Sequence, residues 1–334
     1  MKRLFLLTLL APLLWACHSP RTYFPLEVEP VHVNMVRFDE ALLNVQPATV
    51  REDVALLYHD YPDFMTFFVE DILGIPAADT AYLYEALPAF LEDTVYGFRE
   101  TNKYEKLLFS DLSDIEQPLG RAFARIHYLY PEWTIPTLYL YVSGFNSSIQ
   151  FFGEDIAIGA DMYLGSDYEY YNRVVYDYQK LTMRKECIPT DVVSAYLFRH
   201  IPYTSDKSRL LDNMIYRGKV MYLTSLIMAE EQPWEVMGYT REQWEWCLKY
   251  ERAIWHRMMD KRDLFKTEAL ILTSYLSDGP FTAEISQDAP ARLGTWIGWR
   301  ITESYMLNND TVSLTSLMAQ PDAEYILEYS YYRP

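Results

Sequence analysis

Six histidines are the first residues to test for chemistry: His18, His32, His59, His127, His200 and His256. None falls in His-Glu-x-x-His, and no two stand four apart on one helix. A zinc site would therefore have to assemble from distant segments. Gly-x-Ser-x-Gly, P-loop and Gly-x-Gly-x-x-Gly patterns are missing, so no nucleophile elbow or phosphate cradle is written in the chain. The acidic run Glu154, Asp155, Asp161, Asp167 and Glu169 lacks the close Asp-x-Asp-x-Asp spacing of a calcium loop, and reads as strand and turn residues. Two charges fall on apolar helical stripes. Glu251 lies among Trp244, Cys247, Leu248, Ile254, Trp255 and Met258, and Arg300 lies among Trp296, Ile297, Ile301 and Tyr305. A lone charge facing a core is strongly penalised. Glu251 is therefore expected to meet a core arginine, either Arg300 or Arg217, in an internal ion pair.

The amino terminus carries chemistry of another kind. Met1-Lys2-Arg3 precedes an apolar run from Leu4 to Trp15, too short for a bilayer and matching a secretory signal. Leu14-Trp15-Ala16-Cys17 resembles the lipobox of bacterial lipoproteins. That resemblance implies cleavage before Cys17 and acylation of its sulfur and new amino group, with palmitate among the acyl chains. Two or more chains make anchoring stable. His18 is not the aspartate that retains many such proteins at the inner membrane, and residues 18–22 lack an acidic surface-export tag. By that analogy the expected address is the outer membrane, on its periplasmic side.

Composition narrows the classes further. The formal charge is −18, and −20 once Lys2 and Arg3 are removed. So acidic a body is a poor ligand for nucleic acid or anionic headgroups. Half of the residues are apolar, enough for a substantial core. Cys187 and Cys247 remain after lipidation. An oxidising compartment permits a bridge, but Cys247 falls on an apolar helical face, which favours a buried free thiol.

The elements that must position these residues follow from periodicity. Helical spacing runs through 51–70, 79–97 and 101–127, with Pro62, Pro76, Pro118 and Pro131 breaking or bounding the runs. Ile135–Ser143 and Asp155–Leu164 read as strands. Helices follow over 191–200 capped by Thr190, 207–229 capped by Asp206, 241–259 opened by the Thr240–Gln243 capping box, and 293–308. The expected architecture is α+β and predominantly α-helical, a single compact domain with a small central sheet or hairpin. Residues 1–16 form the signal peptide, 17–35 a tether and 36–334 the domain.

Several segments together resemble the gliding-motility lipoprotein GldB family. They include Arg37-Phe-Asp39, Tyr61-Pro-Asp-Phe64, Ala122–Pro131, Val142-Ser-Gly-Phe145 and Ile158–Gly165. Further on come Leu210–Lys219, Gly238-Tyr-Thr with Gln243, Trp246-Cys247, Glu251 with Ile254-Trp255, Gly294–Arg300 and Ile326–Ser330. The resemblance implies a cell-envelope lipoprotein that is non-enzymatic, takes no cofactor, and partners proteins of the motility or type IX secretion apparatus. A glycan-binding lipoprotein is the rival reading, because 29 Tyr and 8 Trp could stack on sugars, and a divergent hydrolase is a third.

A weaker similarity, to zinc-dependent gluzincin peptidases, concerns the order of strand pair, helix and Leu-Leu-Asp helix. It sets Tyr196-Leu-Phe-Arg-His200 against the His-Glu-x-x-His helix and Arg217 against the later glutamate. Only His200 would survive as a ligand. Tyr196 takes the place of the first histidine, Leu197 of the general base, and the fixed charge of Arg217 would oppose a metal. The similarity implies a degenerate zincin-like groove reused for binding.

Overall fold

The structure, a computed structural model, describes residues 23–25, 28–92 and 98–334; the expected signal peptide and Cys17 lie outside the described residues. The fold is α+β and mostly helical around a small sheet. Strands β1 (Met35–Arg37), β2 (Leu138–Tyr141), β3 (Ile149–Phe152) and β4 (Asp155–Gly159) form one sheet in the order β1-β2-β4-β3. β1 and β2 pair in parallel, as do β2 and β4, while β3 runs antiparallel to β4. Two of these strands were expected. β1 and β3, three and four residues long, are too short to alternate visibly.

Successive strand residues point to opposite faces, and each face has its own core. Leu138, Leu140, Ile156 and Ile158 enter the larger cluster; Tyr141 and Ala157 enter the smaller. The smaller core is built by α1 (Phe38–Leu43), α2 (Val50–Asp60), α3 (Pro62–Phe67) and α4 (Thr80–Glu92). Tyr61-Pro-Asp-Phe64 makes the α2–α3 break, and Phe64 stacks on Tyr139 with centroids 4.4 Å apart. Arg37-Phe-Asp39 ties this layer to its neighbour. Arg37 grips the fully buried Asp39 carboxylate through Nε (2.9 Å) and Nη2 (2.8 Å), and its Nη1 donates to the Phe109 carbonyl at 2.7 Å.

The expected 101–127 helix is two, α5 (Phe98–Leu108) and α6 (Ser113–Leu129). The break is closed by Asp111, whose Oδ1 accepts the Ser113 amide at 2.9 Å. Pro118 lies inside α6 rather than bounding it. The stretch expected as a tether lies against the body at its far end: Val33 is buried, and the Val31 amide donates to the Gly120 carbonyl at 3.1 Å.

Beyond the sheet come the short α7 (Tyr171–Val174), then α8 (Ile188–His200), α9 (Leu210–Ile227), α10 (Pro233–Met237) and α11 (Arg241–Asp260). The chain closes with α12 (Ala269–Leu276), α13 (Leu293–Asn308), α14 (Leu314–Ala319) and α15 (Ala323–Ser330). α13 has the expected bounds. α11 opens on the expected box: Thr240 Oγ1 accepts the Gln243 amide at 3.1 Å, and Gln243 Oε1 accepts the Thr240 amide at 2.9 Å. Thr190 and Asp206 do not cap their helices. α8 begins earlier, at Ile188-Pro189, and α9 begins at Leu210, where Asp212 Oδ2 accepts the Arg209 amide at 3.1 Å.

The packing centre is α9 against α13, where Gly218 meets Gly298. Without side chains at both positions the backbones approach as closely as they do. The same crossing is spanned by Leu210–Lys219 and Gly294–Arg300. Buried Lys219 donates to the Met318 (3.2 Å) and Gln320 (2.7 Å) carbonyls, satisfying the end of α14. Cys187 and Cys247 are both free. Among the described residues no helix is long and apolar enough to cross a membrane.

Candidate functional site

The close α9–α13 crossing fixes what stands beside it. Arg217 precedes Gly218 and feels the charges of Arg292 and Asp278. Both arginines line a groove of about 980 Å³. Its floor is the face of α8 carrying Asp191, Ser194, Ala195 and Phe198; one wall is the start of β3, at Ser148 and Ile149. Met237, Gly238 and Tyr239, in the α10–α11 connection, close the other side.

Each polar group on the floor has a distinct state. Asp191 accepts a hydrogen bond from the Tyr163 hydroxyl at 2.8 Å. Burial pushes its carboxyl up to about 6, against the opposing pull of that hydroxyl and of Arg292. Arg292 is committed: Nε pairs with Asp278 Oδ1 at 2.9 Å, and Nη2 donates to the Met237 carbonyl. Its backbone is left-handed, φ 58°, a strained conformation that its side-chain bonds hold in place. Gly238 makes room for it, since a Cβ there would stand 2.8 Å from Nη2. Arg217, by contrast, is half-buried and makes no ion pair or hydrogen bond among the described residues. Burial pulls it below its usual range, as does Arg292. Thr295 is 4% exposed, and its Oγ1 is buried without a partner. A guanidinium without a protein partner and a residue with an orphan buried hydroxyl thus line one groove, and the hydroxyl is costly to leave unbonded.

The residues singled out from sequence are distributed over two places. Arg217 is in the groove; Tyr196 and His200 are not. The Tyr196 ring is buried against Phe123 and Trp133, and its hydroxyl donates to the Thr134 carbonyl at 2.7 Å. His200 Nδ1 lies 2.9 Å from the Tyr196 carbonyl, with its ring over Trp133. The groove face of α8 instead presents Ser194, Ala195 and Phe198, at the spacing of a His-Glu-x-x-His helix. Serine, alanine and phenylalanine beside an unpaired arginine do not fit a zinc ion.

Glu251 lies elsewhere, on α11. Arg300 Nε donates to its Oε1 at 3.0 Å, and the Tyr332 hydroxyl donates to the same oxygen at 2.8 Å. Arg300 also pairs with Glu303, and the Arg217 alternative is not formed. The side chains are 13% and 29% exposed, so the pair is partly wetted at the helix margin rather than sealed in the core.

Asp161, from the acidic run, is fully buried and bonded to the Ser143 (2.7 Å) and Phe145 (2.5 Å) amides, which fixes the turn after β2. Asp155 Oδ1 accepts the Thr137 amide at 2.9 Å. These acids hold the sheet.

The molecule is thus a mostly helical α+β body with a groove between a sheet edge and a helix pair. The chain belongs to the family described as gliding motility protein GldB, which matches residues 25–334. No curated protein and no solved structure matches it.

Proposed function

We propose that the protein is a lipid-anchored, non-enzymatic component or accessory of the gliding-motility and type IX secretion machinery, held on the periplasmic side of the outer membrane through acylated Cys17. The observation that carries this reading is the family match over nearly the whole chain, together with what the groove offers. At the positions where a peptidase of related layout would hold metal and base stand Ser194, Ala195, Phe198 and a free guanidinium. A guanidinium without a protein partner suits binding and orienting a ligand.

In-cell crosslinking from the body, followed by identification of co-purifying proteins, tests the role. Recovery of envelope motility or secretion components supports it, and recovery of the protein alone overturns it. Mass spectrometry of the membrane-extracted protein tests the anchor, with an unmodified thiol at Cys17 as the adverse result.

Glycan capture has one observation in its favour. Tyr176 and Tyr178 stand parallel at the groove rim, centroids 5.8 Å apart and interplanar angle 7°, with Tyr176 well exposed. A glycan array with Tyr176→Ala as control decides it.

A further inference from the structure

We infer that the groove captures the carboxy-terminal end of an extended peptide, which adds alongside β3 and seats its terminal carboxylate on Arg217 and Thr295. The inference deepens the binding role proposed above by naming the class of partner.

Three observations converge on it. The first is the open edge of the sheet. β3 is the last strand in the order, paired only with β4. The Gly159 amide donates to the Ser148 carbonyl at 2.9 Å, and residues 148 and 159 lie opposite one another in the register. In an antiparallel ladder bonded pairs alternate, so Gln150 and Phe152 face β4, while the amides and carbonyls of Ile149 and Phe151 turn outward. Ile149 lines the groove. The Ile149 carbonyl takes only a long bond from the Ser147 hydroxyl, 3.5 Å, and the outward Ile149 amide and Phe151 groups beside the cleft are a template for one more strand.

The second is the pair of unsatisfied groups on the floor. Arg217 has no partner among the described residues, and the Thr295 hydroxyl is buried without one. A carboxylate accepts from both. Guanidinium geometry suits it better than any neutral group does.

The third is the distribution of charge. Seven Asp or Glu and three Arg line the groove. Five of the acids are on its exposed rim: Asp114, Asp177, Glu186, Glu235 and Asp278. A negative rim over a floor that holds the unpaired Arg217 as well as the Asp191 carboxyl selects against a segment acidic along its length. It favours one whose single deep anion is terminal and whose preceding side chains are basic.

The test is a random decapeptide array with free carboxy termini beside the same array amidated, probed with the full chain in detergent micelles. Peptides taken from the array are then titrated by fluorescence anisotropy. Expected are binders with Lys or Arg upstream of the terminus, weakened at least tenfold by amidation and at least tenfold by Arg217→Met. Ile149→Pro removes an outward amide without touching the β4 ladder, and is also expected to weaken binding several-fold. Near-UV circular dichroism of each variant separates lost binding from lost folding. Equal binding of free and amidated peptides, undiminished binding by Arg217→Met, or no binders at all would overturn the inference. Crosslinking in cells reads the wider role independently: a silent array with machinery components still recovered removes only the peptide.

Discussion

Gly218 and Gly298 touch backbone to backbone: a Cβ on Gly218 would stand 2.1 Å from the Gly298 carbonyl carbon, and one on Gly298 would stand 1.8 Å from the Met214 carbonyl oxygen. No rotamer change relieves a clash with main chain. Gly298→Ala must push α13 off α9, so a loss of about 3 kcal/mol or more is expected. Thermal unfolding is the measurement, with a fall of roughly 5 °C or more. A variant melting within a degree of the parent would show that the helices are not held at this distance.

The Glu251–Arg300 pair predicts a specific pattern of coupling. A double-mutant cycle with Glu251→Gln and Arg300→Met is expected to give about 1 kcal/mol, because the pair is only partly buried and Tyr332 and Glu303 share its bonds. The same cycle between Glu251 and Arg217 is expected to give nothing. Denaturant titration of the four variants in each cycle reads both values, and a larger coupling to Arg217 would contradict the helix arrangement.

Glu105, on α5, is fully buried with both carboxylate oxygens unpartnered among the described residues. Desolvation, then the nearby charges of Asp161 and Asp39, hold its pKa well above the usual range, and Arg37 opposes them only in part. The folded state therefore keeps a proton that the unfolded chain releases. Stability from this group is complete below about pH 4.5 and lost as pH rises through the folded value. Glu105→Gln is expected to raise stability near pH 7.5 by about 1–2 kcal/mol and to flatten its fall with pH. Parallel denaturation curves for parent and variant from pH 5 to 8 check it; an unchanged slope would mean that Glu105 does not hold the proton.

Asp191 predicts a second step in the same direction. Its carboxyl titrates at about 6 in the fold against an ordinary 3.8. Its contribution is present at pH 4 and gone by about pH 7. Asp191→Asn is expected to remove that step while leaving the Tyr163 hydroxyl a carbonyl oxygen to donate to. Carbon-edited NMR of the aspartate carboxyls locates the titration directly, and a midpoint below pH 5 would count against it.

Legibility in the sequence followed how local the cause was. The Thr240–Gln243 box and the full span of α13 were readable because capping and 3.6-residue periodicity act within a few residues. Pro118 misled because one proline inside a long helix costs a single backbone bond, which the burial of Leu119, Ala122 and Phe123 around it outweighs. β1 was unreadable because its partner β2 lies about a hundred residues away, and β3 because four half-buried residues show no alternation of their own. The groove shows the same division. Arg217 was reached only as an alternative partner for Glu251 and through the gluzincin similarity, whereas Glu251 and Arg300 stood out as charges on apolar stripes. Asp191, Thr295 and Tyr163 look ordinary on their own elements and acquire meaning only when α8, α13 and the sheet converge. Tyr196 and His200 stand two residues on from Ser194 and Phe198, which turns them more than half a circle round α8, away from the groove and onto Phe123 and Trp133.

The parallel pairing of β1 with β2 sets Met35 beside Leu138, with the whole first helical layer threaded between them. Such a sheet closes late: the entropy of a loop that long is lost before the pairing returns any contact. Assembly in the cell envelope is therefore expected to be slow for a mostly helical protein. Until that layer docks, the apolar undersides of α1–α4 lack the Tyr141 and Ala157 surface they will cover, and they stay open to association with neighbouring chains during that interval.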